Sequence, residues 1–191
     1  MRLFIGIPLA LATVRDLDAE VKRLQSTRTN PEIPGSFRWS DRESWHITLQ
    51  FLGSTTELQY ECVTAHLREL RHSQLSIELG RIGTFPRAGV LFVDVRVTSQ
   101  LTVLQQAITA ATARCGCTPE DRPYRPHITL ARQKGKGDRH SGDFRNLKLH
   151  STPAPHFTSF RAESFVLYQS VPTPQGSRYE IRERFPLHNP E

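Results

Sequence analysis

The chain predicts an α+β fold of two pseudo-symmetric lobes, each a mainly antiparallel sheet with helices on its outer face and a cleft between them. Three observations carry this. The tetrapeptide His46-Ile47-Thr48-Leu49 returns unaltered as His127-Ile128-Thr129-Leu130. A short β-branched and aromatic run stands upstream of each copy, Leu3-Phe4-Ile5-Gly6-Ile7 and Leu91-Phe92-Val93-Asp94-Val95. A stretch with helical spacing then separates each run from its tetrapeptide. One plan used twice, in a chain of 191 residues, predicts a single bilobal domain over residues 1–191.

The elements follow in order. Leu3 to Ile7 reads as a strand, and Leu11, Val14, Leu17, Val21 and Leu24 recur at threes and fours as one face of an amphipathic helix. Residues 27–35, rich in Thr, Asn, Pro and Gly, read as a surface loop. After the first tetrapeptide strand, a helix is expected over Leu58 to Leu70 and a strand over Leu75 to Ile82. In the second copy, Leu101, Leu104, Ile108 and Ala111 mark a helix with Ser99 as its N-cap. Gly116 reads as that helix's terminator. Strands over Phe160 to Tyr168 and Arg178 to Phe185 complete the set.

Composition narrows the classes. With 37% hydrophobic and 23% charged residues the chain can repay the entropy of folding, so intrinsic disorder is excluded. A surplus of 25 basic over 19 acidic residues, +6 net, suits a phosphate-bearing partner without proving one. The three cysteines, Cys62, Cys115 and Cys117, are odd in number, and the last two flank a single glycine. That spacing suits neither zinc nor a disulfide framework, so reduced thiols are expected. The apolar run from Leu3 to Ala12 is interrupted by Pro8 and too short for a secretory signal, and no segment approaches a membrane span. A cytoplasmic monomer is the expectation.

Alternation along a strand puts His46 with Thr48 on one face and Ile47 with Leu49 on the other, and likewise for His127, Thr129, Ile128 and Leu130. If the lobes face each other, two imidazoles and two hydroxyls surround one space. Imidazole titrates near neutrality, so one ring can take a proton from water while another delivers one to a departing oxygen. The threonines can bind the non-bridging oxygens of a phosphate. Neither tetrapeptide carries a hydrolytic metal-site pattern, so no metal and no cofactor are required. A single such strand more often carries only a solvated His and Thr; duplication within a duplicated scaffold argues for catalysis.

At these residues the chain resembles the 2H phosphoesterase superfamily, named for two His-x-Thr/Ser motifs. Within it, the chain is similar to the bacterial and archaeal RNA 2′,3′-cyclic phosphodiesterases, also called 2′-5′ RNA ligases. The resemblance runs through Arg2 to Ile7, the Trp39 segment, Trp45 to Gly53 and Pro126 to Arg132. It implies metal-independent hydrolysis of RNA or oligonucleotide 2′,3′-cyclic phosphate ends to 2′-phosphates. It further implies His46 as the acid protonating the 3′-oxygen, His127 as the base activating water, and Arg132 as a phosphate contact. The residues alone do not order the two histidines. Strict alternation puts Arg132 opposite His127, so it can serve only if the strand ends or bulges after Leu130.

Other features carry less. The run Lys134 to His140 can approach an RNA backbone or be a solvated turn. Phe4, Trp39, Trp45, Phe51 and Tyr124 can stack on a base, although core positions suit most of them. His66, His72, His140, His150, His156 and His188 lack motif context and read as surface residues. Reversible 2′-5′ ligation and a non-catalytic RNA-binding module stand as the alternatives to hydrolysis.

Overall fold

The elements begin with β1 (Arg2–Pro8), α1 (Leu11–Ser26), β2 (Phe37–Trp39) and β3 (His46–Ser54). There follow α2 (Glu57–Glu69), β4 (Leu75–Ile77), β5 (Leu79–Phe85), β6 (Val90–Val95) and α3 (Ser99–Ala113). The chain then forms β7 (His127–Gln133), β8 (Phe160–Ala162), β9 (Ser164–Thr173) and β10 (Gly176–Pro186). This is a computed structural model, and it describes residues 1–26, 37–133, 155–174 and 176–188. The loop at 27–35 and the basic run at 134–140 lie outside the described residues, as do His140 and His150.

The strands form two four-stranded antiparallel sheets, ordered β10-β9-β1-β3 and β2-β7-β6-β5, and a two-stranded sheet of β4 and β8. In each large sheet the upstream strand lies beside its tetrapeptide strand, β1 with β3 and β6 with β7. The sheets are not contiguous halves of the chain, however. β2, from the first half, pairs with β7, while β9 and β10 complete the sheet of β1. Two expected strands are split by the same arrangement: β4 and β5 separate at Glu78, and β8 and β9 at Glu163, because the chain changes sheets at these points.

One apolar core joins the two large sheets and the helices. Leu3, Ile5 and Ile7 of β1, Leu17 and Val21 of α1, Val63 and Leu67 of α2 pack in the same cluster as Leu91 and Val93 of β6, Leu104 and Ile108 of α3, and Ile128 and Leu130 of β7. Each such side chain contributes about 1.5–3 kcal/mol on burial. The expected lobes therefore share their interior. The N-terminal ends of two helices are closed by threonines. Thr56 and Gln59 form a capping box on α2, and Thr98, one residue earlier than the expected Ser99, accepts from Leu101 N at 3.2 Å on α3.

The cysteine expectation is overturned. Cys62 of α2 and Cys115, just beyond α3, form a disulfide with their Cα atoms 5.8 Å apart, and Cys117 is a buried free thiol. The partner of Cys115 lies 53 residues away rather than across Gly116, because the packing of α2 against the end of α3 sets the pairing. Among the described residues no helix is long and apolar enough to cross a membrane.

Candidate active site

Both tetrapeptide strands bulge at the same place. In β3, Gln50 opposes Ile5 and Thr48 opposes Gly6, so Leu49 is the extra residue; in β7, Ala131 opposes Leu91 and Thr129 opposes Phe92, so Leu130 is extra. Each bulge sends two consecutive residues inward, Leu49 with Gln50 and Leu130 with Ala131, all buried. The next residues, Phe51 and Arg132, consequently emerge on the face of the His and Thr. This meets the condition that alternation set for Arg132. The ladders also correct the repeat alignment. Gly6, not Phe4, holds the place that Phe92 holds in the other sheet, and Pro8 and Asp94 lie opposite His46 and His127.

Each imidazole is anchored by a backbone carbonyl two residues earlier. Nδ1 of His46 lies 2.7 Å from Ser44 O, and Nδ1 of His127 lies 2.8 Å from Arg125 O. These bonds assign the hydrogen to Nδ1 and leave each Nε2 as an acceptor. Thr48 Oγ1, 3.1 Å from His46 Nε2, donates to it. Gly6 is required here, since a Cβ would stand 2.8 Å from Ile47 O and 3.2 Å from His46 Cδ2.

The surroundings of the two rings differ. His46 packs against Phe4 at 4.6 Å, Tyr179 at 5.1 Å and Tyr168 at 5.6 Å between ring centroids. Its desolvation pushes its pKa down to about 4, against the carbonyl of Ser44, which favours the cation; the charges of His127 and Arg132 push the same way as burial. His127 meets Phe85 edge-on at 5.0 Å and Phe92 at 5.5 Å. Burial lowers its pKa too, the bond to Arg125 O opposes this, and Arg132 and Arg125 disfavour the cation while Asp94 favours it. Asp94 also lies 3.8 Å from Arg125, whose guanidinium covers the Phe85 ring at 4.7 Å.

His46, on one sheet, thus feels the charge of His127 on the other, and both rings feel one shared guanidinium, Arg132. Thr48, Phe51, Gln105, Tyr124, Arg125 and His127 line a cavity of about 300 Å³. Tyr124 donates from its hydroxyl to Thr48 O at 3.3 Å and ties the segment before β7 to β3; burial pushes that phenol's pKa up, so it stays a donor. His46, hydrogen-bonded to Thr48, is not itself among the lining residues, and neither are Thr129, half-buried, and Arg132, exposed. Of the candidate stacking residues, Phe51 and Tyr124 reach the cavity; Phe4 and Trp45 are buried and Trp39 packs against the core. Sequence reasoning passed over Asp94, Arg125, Tyr168 and Tyr179. Asp94 was visible as a charge inside an otherwise apolar strand, but its place opposite His127 needed the bulged register.

A profile of the 2′-5′ RNA ligase superfamily matches residues 14–170, most of the chain. This chain belongs to the 2′-5′ RNA ligase superfamily. Within that superfamily it is 28% identical over 191 residues to a Bacillus subtilis RNA 2′,3′-cyclic phosphodiesterase, covering 96% of this chain and 95% of that one. It is 29% identical over 167 residues to the Aeropyrum pernix protein of the same name, covering 83% and 89%. Among solved structures, Escherichia coli LigT in apo form superposes with a TM-score of 0.77 at 24% identity, covering 98% of each chain. A structure of LigT with 3′-AMP gives a TM-score of 0.78 at 24% identity over 97% of each. At that identity the likeness establishes the fold.

Proposed function

We propose that this chain is an RNA 2′,3′-cyclic phosphodiesterase that opens cyclic phosphate ends to 2′-phosphates with water, using His46 and His127. The observation that carries the reading is the pair of carbonyl-anchored imidazoles, one from each sheet, within electrostatic reach of each other and of Arg132. Each ring presents an Nε2 whose lone pair can accept a proton, and fixing Nδ1 costs nothing at the moment of reaction. Water attacks phosphorus as one ring takes its proton; the other, protonated, gives its proton to the leaving 3′-oxygen. Thr48, Thr129 and Arg132 bind the non-bridging oxygens as charge builds on them. Phe51 and Tyr124 offer apolar faces to the nucleoside, and no step calls for a metal or cofactor.

The superfamily resemblance makes His46 the acid and His127 the base. The anionic phosphodiester brings negative charge beside His46 and so favours its protonation in the complex, which the free site resists. A substrate with sulfur in place of the bridging 3′-oxygen tests this, because a thiolate leaves without a proton. His46→Ala should lose little on the sulfur substrate while His127→Ala loses as much as on the oxygen one; the reverse pattern exchanges the roles. On the ordinary substrate each variant should lose about 10²–10⁴-fold in kcat.

The founding experiment is product analysis on a 2′,3′-cyclic nucleotide in EDTA, with and without a 5′-hydroxyl oligonucleotide. A 2′-phosphate in both arms is expected. A 2′-5′ linked product would support ligation, the same chemistry with a ribose hydroxyl in place of water. Absence of turnover, with RNA binding unaffected by the two alanine variants, would leave only a binding module.

A further inference from the structure

We propose that Cys62, His66 and Cys115 form a zinc-binding site in the reduced protein. The sulfurs of Cys62 and Cys115 and a ring nitrogen of His66 all lie within 4.8 Å of one another. Cys62 and His66 are one turn apart on α2 and so share a face, the i, i+4 spacing that lets two side chains of a helix hold one ion. Cys115 is delivered by the turn that ends α3, where Gly116 adopts φ +75°. Zinc with bonds of about 2.3 Å to sulfur and about 2.0–2.1 Å to nitrogen sets its ligand atoms about 3.5–3.8 Å apart in a tetrahedron. The two sulfurs are joined in the disulfide and reach that spacing once reduction releases them from each other.

The approach of Cys115 to α2 does not depend on the disulfide alone. Gln59 of α2 donates from Nε2 to Cys115 O at 3.4 Å, and the amides of Cys115 and Gly116 donate to Thr112 O and Ala113 O at 3.0 Å each. Reduction by a dithiol consumes two electrons and two protons, cleaves the S–S bond to two thiols, and leaves the reductant as its own disulfide. Those thiols stay beside the imidazole. Binding of Zn²⁺ then expels both thiol protons to solvent and gives two thiolates and one neutral imidazole as ligands. Water takes the fourth position. Glu69 Oε2, 3.6 Å from His66 Nδ1, supplies the carboxylate that commonly orients a ligating histidine.

Thiols and an imidazole are the ligand types zinc favours. All three residues are half-exposed, so an ion reaches them from solvent. Cys117 is buried and is not one of the three residues whose donor atoms converge. None of the three ligands lines the cavity beside His127, so the site is separate from the proposed chemistry.

The test is a Co²⁺ titration of the full chain, reduced with a phosphine. The expected result is a thiolate-to-cobalt charge-transfer band that saturates at one equivalent and is displaced by one equivalent of Zn²⁺. The disulfide form should show no band. Cys62→Ser and Cys115→Ser should abolish it, Cys117→Ser should retain it, and His66→Ala should weaken Co²⁺ binding at least about tenfold. Circular dichroism on each variant reports whether it is folded. No band from the reduced, folded wild-type chain, or a His66→Ala titration identical to wild type, would overturn the proposal. The readout is optical, so its failure is independent of phosphodiesterase turnover.

Discussion

At the scale of the residue, the two motif histidines are chemically unequal although their tetrapeptides are identical. His46 sits among Phe4, Tyr168 and Tyr179 with Pro8 opposite, and His127 sits opposite Asp94 beside Arg125. Asp94→Asn removes a charge that favours the His127 cation and frees Arg125 to oppose it. An acid–base pair predicts a bell-shaped dependence of rate on pH, and in this variant one limb should move to lower pH; a profile identical to wild type would refute the role of Asp94. Stability should also carry the mark of His46. Its folded pKa of about 4 lies below the ordinary 6.5, so the unfolded chain binds the proton first as pH falls. Folding free energy is then lost as pH falls from about 6.5 toward 4, at up to about 1.4 kcal/mol per pH unit. Thermal melts at about pH 7 and about pH 5 should show a smaller loss for His46→Gln than for wild type.

At the scale of the element, most of the site was legible because strands and helices announce themselves by period. The histidine strands and the apolar anchors Ile47, Leu49, Ile128 and Leu130 stand where alternation put them, and the helix faces follow their period except at Leu11, which is exposed. The bulges themselves were not legible, since an extra residue in a ladder is defined by the partner strand. Their effect was anticipated only as the condition under which Arg132 could serve. The splitting of β4 from β5 and β8 from β9 was hidden for the same reason: a strand that changes sheets looks continuous in one dimension. Gly6 gives this scale its prediction. Gly6→Ala places a methyl against the carbonyl of Ile47 and the ring of His46, and neither backbone in a paired ladder can withdraw. We expect a loss of about 1–3 kcal/mol in urea unfolding. Turnover should fall as well, because the displaced ring is His46.

At the scale of the whole molecule, the sequence showed the duplication but concealed how its copies are assembled. Reading the chain as two consecutive lobes assumed that neighbours in sequence are neighbours in a sheet. The cysteines misled likewise: Cys115 and Cys117 drew attention by proximity, while the bond joins Cys115 to Cys62 across 53 residues. Closing a loop of that size restricts the unfolded chain by about 4 kcal/mol in the entropic account. Cys62→Ser should therefore lower the free energy of unfolding by about 2–4 kcal/mol in non-reducing buffer. No difference from wild type under those conditions would mean that the bond does not form in solution.

The pairing of β1 with β9 bears on how such a protein comes off the ribosome. β1 is made before every other element of this fold, yet one of its two hydrogen-bonding edges is satisfied only by residues beyond 160. A nascent chain that has completed both motif strands still has that edge open, which is a template for wrong pairing until β9 has emerged. Severing the gene between its two repeats would then yield fragments that cannot fold apart and must find each other, so co-expression, not separate refolding, is the route by which split versions would regain structure.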